Sequence, residues 1–312
     1  MLKSADLALY RAKSEGRGTY RFFEVGMDAR AQARRLLEID LRAAVKRGEF
    51  EVYYQPIHDL RSGRIICFEA LVRWAHPLRG MIPPLEFIPL AEETGLIVPI
   101  GDWVLRRACV DAAGWSQAVQ VAVNLSPVQF KSRHLLPSVV SALAESGLAA
   151  GRLELEITES VLLQETEATL ATLHKLREFG VKISMDDFGT GYSSLSYLRS
   201  FPFDKIKIDR SFVNEVATRE DSAAIVRAVT GLGKSLGILT TAEGVETSEQ
   251  LAVLRSEGCN EVQGFFSIRR GRRPRSKRCY PMVVYVLWPD AGLYNRSAQA
   301  SRRQTSLGGR GI

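Results

Sequence analysis

The alternation of short apolar runs with amphipathic segments is the feature that most restricts how this chain can fold. The apolar runs predict eight β-strands, at residues 50–57, 65–74, 119–126, 153–158, 181–187, 203–209, 237–244 and 261–266. The amphipathic stretches predict helices at residues 28–47, 86–94, 99–117, 134–146, 164–179, 220–236 and 247–257. Such alternation is typical of α/β proteins with a largely parallel sheet.

The number and spacing of the strands favour a closed barrel. Eight strands, mostly separated by helices, in about 220 residues match the usual size of a (β/α)8 TIM-type barrel. Because only a short connector with Ser62-Gly63 joins residues 50–57 to residues 65–74, we expect the first two strands to be antiparallel. An open doubly wound sheet is the alternative that this pattern leaves open.

The basic residues are concentrated at the C-terminal end of the chain. From Ser267 onward there are eleven Lys and Arg residues and one acid, Asp290, so this end carries +10 and the first 266 residues carry −3. The body therefore lacks the basic surface expected of a nucleic-acid-binding protein. Residues 267–312 have no helical periodicity and are expected to be an atypical, disordered tail. Binding of nucleic acid or acidic membranes by this tail is the least favoured alternative.

Cysteine usage and hydropathy bear on the cellular compartment. The four cysteines are far apart and form no C-x-x-C pair, which favours a reducing compartment over a disulfide framework or a zinc site. The longest uninterrupted apolar run, residues 282–288, is too short to span a bilayer, and the N-terminus has no secretory pattern. We expect a cytoplasmic protein without a membrane segment in this chain.

Polar residues follow or end nearly every predicted strand. In an α/β barrel these strand ends converge on one rim, where active sites form. A single polar residue at a strand end is more often exposed to solvent or a helix N-cap than a ligand. Several such positions together, including a lysine and a glutamine, are not explained by capping. Carboxylate and amide oxygens suit a hard cation such as Mg²⁺ or Mn²⁺. The ring residues are Glu69, Asn124, Glu156, Asp186, Asp187, Lys207, Asp209, Glu243 and Gln263.

The adjacent Asp186 and Asp187 are the strongest element of this ring. Neighbouring carboxylates repel each other unless a cation holds them. Two metal ions bridged by a carboxylate are the usual arrangement for cleavage of a phosphodiester. The residues alone therefore predict a metal site at the rim.

Several motifs in this region resemble those of a known family. Glu69-Ala70-Leu71, within FEALVRW, resembles the signature of the EAL domain, the bacterial cyclic di-GMP phosphodiesterase. The resemblance continues, in family order, through YYQPI (53–57), FIPLAEETGLI (87–97), VNLSPVQF (123–130), LEITES (155–160), MDDFGTGYSSLSYL (185–198), KIKID (205–209), AEGVET (242–247) and VQGFF (262–266). Residues 28–266 are thus interpreted as an EAL domain.

The N-terminal segment resembles a different domain. Residues 5–24 are similar to the final helix and strand of a GGDEF diguanylate cyclase domain, so residues 1–27 are interpreted as the C-terminal remnant of such a domain. The GGDEF signature itself is missing from the chain, and we expect no cyclase activity.

The resemblance to the EAL domain implies two divalent cations, Mg²⁺ or Mn²⁺. Glu69, Asn124, Glu156 and Asp186 would bind one ion. Asp186 and Asp187 would hold the second, with Asp186 shared between the two.

The resemblance also implies catalytic roles. Glu69 is counted among the catalytic residues. Lys207 would orient the attacking water, and Glu243 would be a general-base candidate or would support the metal ligands. Gln263 would position the water or the metal shell.

The remaining implied roles concern the substrate and one loop. Gln55 and Arg73, together with Gln263, would contact the dinucleotide. Glu159 would anchor the loop 187–196, which in this family reports on metal binding and dimerisation, so a homodimer is expected.

The expected function is metal-dependent hydrolysis of cyclic di-GMP to linear pGpG, which would lower cyclic di-GMP signalling. The alternative is a catalytically inactive receptor that binds the dinucleotide. Receptors of this fold usually have degenerate ligands, whereas every position above holds the expected residue.

Overall fold

The computed structural model describes residues 20, 22, 27–116, 119–132, 134–163, 167–189, 201 and 203–264. The predictions for residues 2–13, most of 19–23, 190–196 and 267–312 lie outside the described residues.

The described chain alternates strands and helices throughout. The strands are β1 (Phe50–Asp59), β2 (Ile65–His76), β3 (Gly80–Ile82), β4 (Gln120–Leu125), β5 (Leu153–Thr158), β6 (Lys182–Phe188), β7 (Lys205–Ile208), β8 (Leu239–Ala242) and β9 (Glu261–Gln263). The helices are α1 (Met27–Arg47), α2 (Pro84–Thr94), α3 (Ile97–Ala113), α4 (Pro127–Phe130), α5 (Leu135–Ser146), α6 (Glu159–Leu163), α7 (Glu167–Glu178), α8 (Arg210–Asn214), α9 (Glu220–Leu236) and α10 (Ser248–Ser256).

The strands close into an eight-stranded α/β barrel. The hydrogen-bonded order is β1-β9-β8-β7-β6-β5-β4-β2, and pairing of β1 with β2 closes the ring. β1 is antiparallel to both of its neighbours, β2 and β9, while the pairs from β2–β4 round to β8–β9 are parallel. The barrel and its antiparallel first strand pair are therefore confirmed, and the open sheet is wrong.

Short elements account for most of the differences from the sequence-based expectation. The three-residue β3 pairs with the end of β2, and the helices α4, α6 and α8 each follow a barrel strand within two residues. Elements of three to five residues are too short to display a helical or strand period. The predicted strand at residues 203–209 is also shorter in the structure, where β7 ends at Ile208 because Asp209 caps the helix that follows.

The apolar core lies between the barrel and its helices. On β5, Leu153, Leu155 and Ile157 are fully buried on the outward face, so the alternating Glu154 and Glu156 point into the barrel. This alternation places polar side chains in the barrel interior while the hydrophobic residues pack against the surrounding helices.

Candidate functional site

The centre of the site is a buried lysine surrounded by carboxylates from neighbouring strands. Lys207 Nζ on β7 lies 2.8 Å from Glu156 Oε2, 3.1 Å from Asp186 Oδ1, 2.6 Å from Glu243 Oε1 and 3.9 Å from Glu69 Oε2. Burial by itself lowers the pKa of Lys207, but the surrounding carboxylates raise that pKa well above its ordinary value. The lysine is therefore a fixed positive charge within the barrel.

Glu69, on β2, forms hydrogen bonds with residues on both sides of it in the ring. Its Oε1 accepts a hydrogen bond from Asn124 Nδ2 at 2.6 Å, and its Oε2 accepts one from Gln263 Nε2 at 2.5 Å. Asn124 in turn lies opposite Glu156 in the parallel register of β4 and β5. Closure of the barrel thus joins residues from β2, β4 and β9 in one network.

The predicted carboxylate pair lies at the end of β6. Asp187 has φ 55, a left-handed conformation that few non-glycine residues adopt, and its amide donates to Asp186 Oδ1 at 3.1 Å. Asp186, Asp187 and Glu243 each offer an oxygen atom, and these atoms lie within 4.8 Å of one another. This distance suits carboxylates that share a cation.

Burial and neighbouring carboxylates raise the pKa values of three acids in the ring. Burial, together with the charge of Asp186, raises the pKa of Asp187. Burial likewise raises the pKa of Glu243 to about 8 and that of Glu156 well above its ordinary value, although Lys207 opposes both shifts. A single ammonium group does not compensate the carboxylates that surround it.

The donor set fits a divalent cation. Among the described residues, Glu156 Oε1 and Gln263 Oε1 are buried oxygens without a hydrogen-bond partner. Buried acceptors of this kind carry a desolvation penalty unless another group binds them. Because the donors are all oxygens, the site suits Mg²⁺ or Mn²⁺ and not a soft metal.

Two predicted substrate contacts lie beside this ring. Gln55 on β1 is directly opposite Glu69 in the antiparallel register of β1 and β2. Arg73 lies four residues farther along β2, towards the rim, and its guanidinium carbon is 5.5 Å from the centroid of the Tyr53 ring. Burial lowers the pKa of Arg73, while the charge of Glu69 acts in the opposite direction. Arg73 is half-buried beside the ring.

Glu159 contacts the start of the loop that was predicted to depend on it. Its Oε1 accepts a hydrogen bond from the amide of Gly189 at 2.9 Å. Gly189 has φ +97, and a Cβ there would lie 2.9 Å from Phe212 Cε2, so this position requires glycine. Residues 190–196 of the loop lie outside the described residues.

The sequence-based interpretation missed one group of polar residues. Glu154, Lys205 and Glu261 form a buried cluster below the ring, each two positions before a ring residue on the same strand. Their spacing from Glu156, Lys207 and Gln263 is the signal that could have found them. Asp209, by contrast, caps α8: its Oδ1 accepts a hydrogen bond from the amide of Ser211 at 2.9 Å. Asp209 also lies near the ring, since its charge adds to burial and to the charge of Asp186 in raising the pKa of Asp187.

Comparison with known families assigns the chain. Residues 38–270, more than half of the chain, match the family model described as the EAL domain. The chain belongs to the EAL domain family. EAL domains are metal-dependent, and the acidic cluster of Asp186, Asp187 and Glu243 is present here.

Relatives of this EAL domain include signalling proteins. An uncharacterized signaling protein of Caulobacter vibrioides is 51% identical over 306 residues, covering 98% of this chain and 37% of the relative. MucR of Pseudomonas aeruginosa, named a bifunctional diguanylate cyclase/cyclic di-GMP phosphodiesterase, is 47% identical over 269 residues, covering 85% of this chain and 39% of MucR. The chain thus spans well under half of the length of these relatives.

A solved structure has the same barrel. The MucR phosphodiesterase in complex with c-di-GMP matches with a TM-score of 0.71 and 47% identity, covering 74% of this chain and 96% of that chain. The similarity identifies the barrel as that of the EAL domain. Within the part of this chain that the structure describes, none of the helices combines the length and apolar character needed to cross a lipid bilayer.

Proposed function

We propose that this EAL domain is a metal-dependent phosphodiesterase that hydrolyses cyclic di-GMP to linear pGpG and thereby lowers cyclic di-GMP signalling. The observation that carries the proposal is the buried Lys207 within 3.1 Å of carboxylates from three different parts of the barrel, Glu156, Asp186 and Glu243. The matching family and the named relatives support the choice of substrate.

Two cations, Mg²⁺ or Mn²⁺, would be held by the carboxylates and amide at the rim. The ligands that we assign to the first ion are Glu69, Asn124, Glu156 and Asp186, and those of the second are Asp186 and Asp187. When bound, such ions stabilise the negative charge that develops on the phosphate and lower the pKa of a water nucleophile. The carboxylates would be held in place for this task by Lys207 and by the amides of Asn124 and Gln263.

Proton movement is assigned to the pair formed by Lys207 and Glu243. Lys207 Nζ would orient the attacking water through its fixed positive charge. Glu243 is the general-base candidate or would support the metal ligands: burial raises its pKa to about 8, so its ionised form is a stronger base than an ordinary carboxylate. Glu69 belongs to the same network, since its Oε2 lies 3.9 Å from Lys207 Nζ. It would help to keep the water and the metal ligands in their relative positions.

The substrate would contact the side of the ring formed by β1, β2 and β9. Arg73 is the residue proposed to bind a phosphate of the dinucleotide, since a guanidinium matches the geometry of two phosphate oxygens. Gln55 and Gln263 would add hydrogen bonds, and the buried Gln263 Oε1 has no hydrogen-bond partner among the described residues. Both phosphodiesters of the substrate are anionic, so a cation on this side aids binding.

We also propose the domain boundaries, location and assembly state. Residues 1–27 are taken as the C-terminal remnant of a GGDEF domain, 28–266 as the EAL domain and 267–312 as a basic tail, on the resemblance of their motifs and composition. A cytoplasmic location is supported by the buried free thiols of Cys67, Cys109 and Cys259. A homodimer is proposed from the resemblance of the loop 187–196 and is tested by light scattering after size-exclusion chromatography.

The test of the proposed function is hydrolysis of cyclic di-GMP by the purified chain with Mg²⁺, with Mn²⁺ or with EDTA. We expect pGpG to form only with a divalent cation, and Asp186→Asn to abolish turnover while leaving the circular dichroism spectrum unchanged. Glu178→Gln, which removes an exposed carboxylate on α7, is the matched control and should retain full activity. A folded wild-type protein that binds cyclic di-GMP without hydrolysing it would instead be a receptor.

A further inference from the structure

A second charged layer lies inside the barrel, directly below the ring that surrounds Lys207. Glu154 precedes Glu156 by two positions on β5, and Lys205 precedes Lys207 by two positions on β7. Because side chains of a strand alternate between faces, each pair points to the same side, about 6.6 Å apart along the strand. On β9, Glu261 precedes Gln263 in the same way. We name Glu154, Lys205 and Glu261 the lower triad.

The lower triad is closely paired and almost completely buried. Lys205 Nζ lies 2.8 Å from Glu154 Oε2 and 2.8 Å from Glu261 Oε2. The side chains of Lys205, Glu154 and Glu261 are only 4%, 1% and 6% exposed. Thr241 Oγ1 on β8 donates a further hydrogen bond to Glu261 Oε2 at 2.8 Å. Side chains from four strands, β5, β7, β8 and β9, thus hold the triad in one arrangement.

One lysine does not neutralise the two glutamates of the triad. Burial by itself lowers the pKa of Lys205, but Glu154 and Glu261 raise it above its ordinary value, so the lysine stays protonated. Counted as formal charges, one lysine and two glutamates give the triad a net charge of −1. Among the described residues, Glu154 Oε1 has no hydrogen-bond partner, which leaves part of this charge uncompensated within the layer.

The surroundings of the triad allow this charge to act over a distance. The same layer contains the fully buried side chains of Ile57, Cys67 and Ala122. Apolar neighbours lower the local dielectric constant, and salt screens buried charges much less than exposed ones. A charge at this depth consequently acts on the carboxylates and cations of the ring above it.

We propose that the lower triad is a positioning and electrostatic element of the cation site: its net negative charge strengthens cation binding in the ring, and Lys205 limits that charge to one unit. The proposal rests on the cation site of the proposed function. Without Lys205 the layer would carry two unpaired carboxylates below Glu156, which would repel the ring carboxylates. With the triad intact, Lys205 offsets one of these two charges, so the repulsion is weaker while the layer still attracts cations.

Isosteric removal of one charge tests this proposal. Glu261→Gln and Glu154→Gln each remove one negative charge and keep the shape of the side chain, so either variant can carry the test if the other folds poorly. Glu178→Gln is the control, since it removes an exposed carboxylate. Mn²⁺ binding is measured by titration calorimetry without substrate, at about 0.05 M and about 0.5 M NaCl.

The expected result is weaker binding in the triad variants only. The dissociation constant for Mn²⁺ should rise about three- to tenfold in Glu261→Gln and Glu154→Gln at both salt concentrations, because the charge is buried. In Glu178→Gln it should stay within about twofold. The Mn²⁺ concentration that gives half-maximal hydrolysis should rise in parallel, while kcat at saturating Mn²⁺ stays within about twofold, since the reacting groups are unchanged.

Two outcomes would overturn the proposal. One is a folded triad variant with the Mn²⁺ affinity of the wild type, and the other is failure of both glutamine variants to fold, which would make the triad a folding requirement alone. A wild-type protein that binds Mn²⁺ but does not hydrolyse cyclic di-GMP would contradict the proposed function instead. The calorimetric comparison does not depend on turnover, so the two failures are distinguishable.

Discussion

Lys207 Nζ and Glu243 Oε1 lie 2.6 Å apart inside the barrel, although the two residues come from successive strand ends that are 36 positions apart in the chain. This ion pair accounts for much of the chemistry proposed above. It fixes the lysine beside the carboxylates and leaves Glu243 with a pKa of about 8, because burial raises that pKa more than the lysine lowers it.

Removal of the central lysine should destabilise the protein more in EDTA than in Mn²⁺. In Lys207→Met the surrounding carboxylates lose their only close ammonium partner among the described residues. Loss of one partner from a buried ion pair costs about 3–5 kcal/mol of unfolding free energy, and a bound cation should offset part of that loss. Urea unfolding in EDTA and in Mn²⁺ measures both values. Lys234→Met, at an exposed position of α9, is the control, and an equal deficit in both conditions would contradict the prediction.

Cation binding should strengthen as the pH rises towards 8. Burial raises the pKa of Glu243 to about 8, so a proton occupies this carboxyl group at neutral pH in the cation-free protein. A cation requires the ionised form, and its binding must release that proton. We expect the Mn²⁺ affinity to rise by up to about tenfold per pH unit from pH ~6 to pH ~8 and then to level off, if one proton is released.

Titration calorimetry in buffers of different ionisation enthalpy counts the released protons. The variant Glu243→Gln should release fewer protons than the wild type. An Mn²⁺ affinity that stays constant over this pH range would show that the carboxyl groups are ionised in the cation-free protein and would contradict the prediction.

Loss of the Glu159 contact should reduce turnover without unfolding the barrel. Glu159 Oε1 accepts the amide hydrogen of Gly189, at the end of the strand that carries Asp186 and Asp187. Contacts that orient metal ligands are worth about 10- to 100-fold in activity or metal affinity. We expect a loss of this size in initial rates for Glu159→Ala. Glu159→Gln keeps an acceptor oxygen and should lie between Glu159→Ala and the wild type; equal rates in all three proteins would refute the role.

Removal of a buried guanidinium far from the ring should affect stability alone. Arg152 donates to the carbonyl oxygens of Val119 at 2.9 Å, Ala112 at 2.7 Å and Ser116 at 3.1 Å, where α3 ends and leads into β4. Arg152→Met removes a charged donor from three carbonyl groups, of which Ala112 and Ser116 keep a backbone donor. Since hydrogen bonds from charged groups are the stronger ones, we expect a loss of about 3 kcal/mol in unfolding free energy. Urea unfolding measures this loss, with the exposed Arg61→Met as control. A change in Mn²⁺ affinity of the folded variant would argue against a purely structural role.

Local patterns were sufficient to place most of the fold and the ring on the correct elements. Strand alternation has a period of two and helical amphipathicity a period of 3.6, and both are properties of neighbouring residues. The apolar run with Glu156 near its end therefore predicted a strand that brings a carboxylate to the rim of the barrel. The same reasoning did not predict that Asp209 caps α8, because capping depends on the backbone that follows the strand.

The sequence by itself determined where the strands lie, which side chains alternate inward, and through its motifs the family of the barrel. Only the tertiary structure decided that β9 pairs with β1 and thereby brings Gln263 within 2.5 Å of Glu69, 194 positions away. It also decided that Lys205 faces two glutamates in a buried layer below the ring. The physical reason is that closure of the barrel determines which distant side chains meet and how much water surrounds them, and both pairing and pKa depend on that environment.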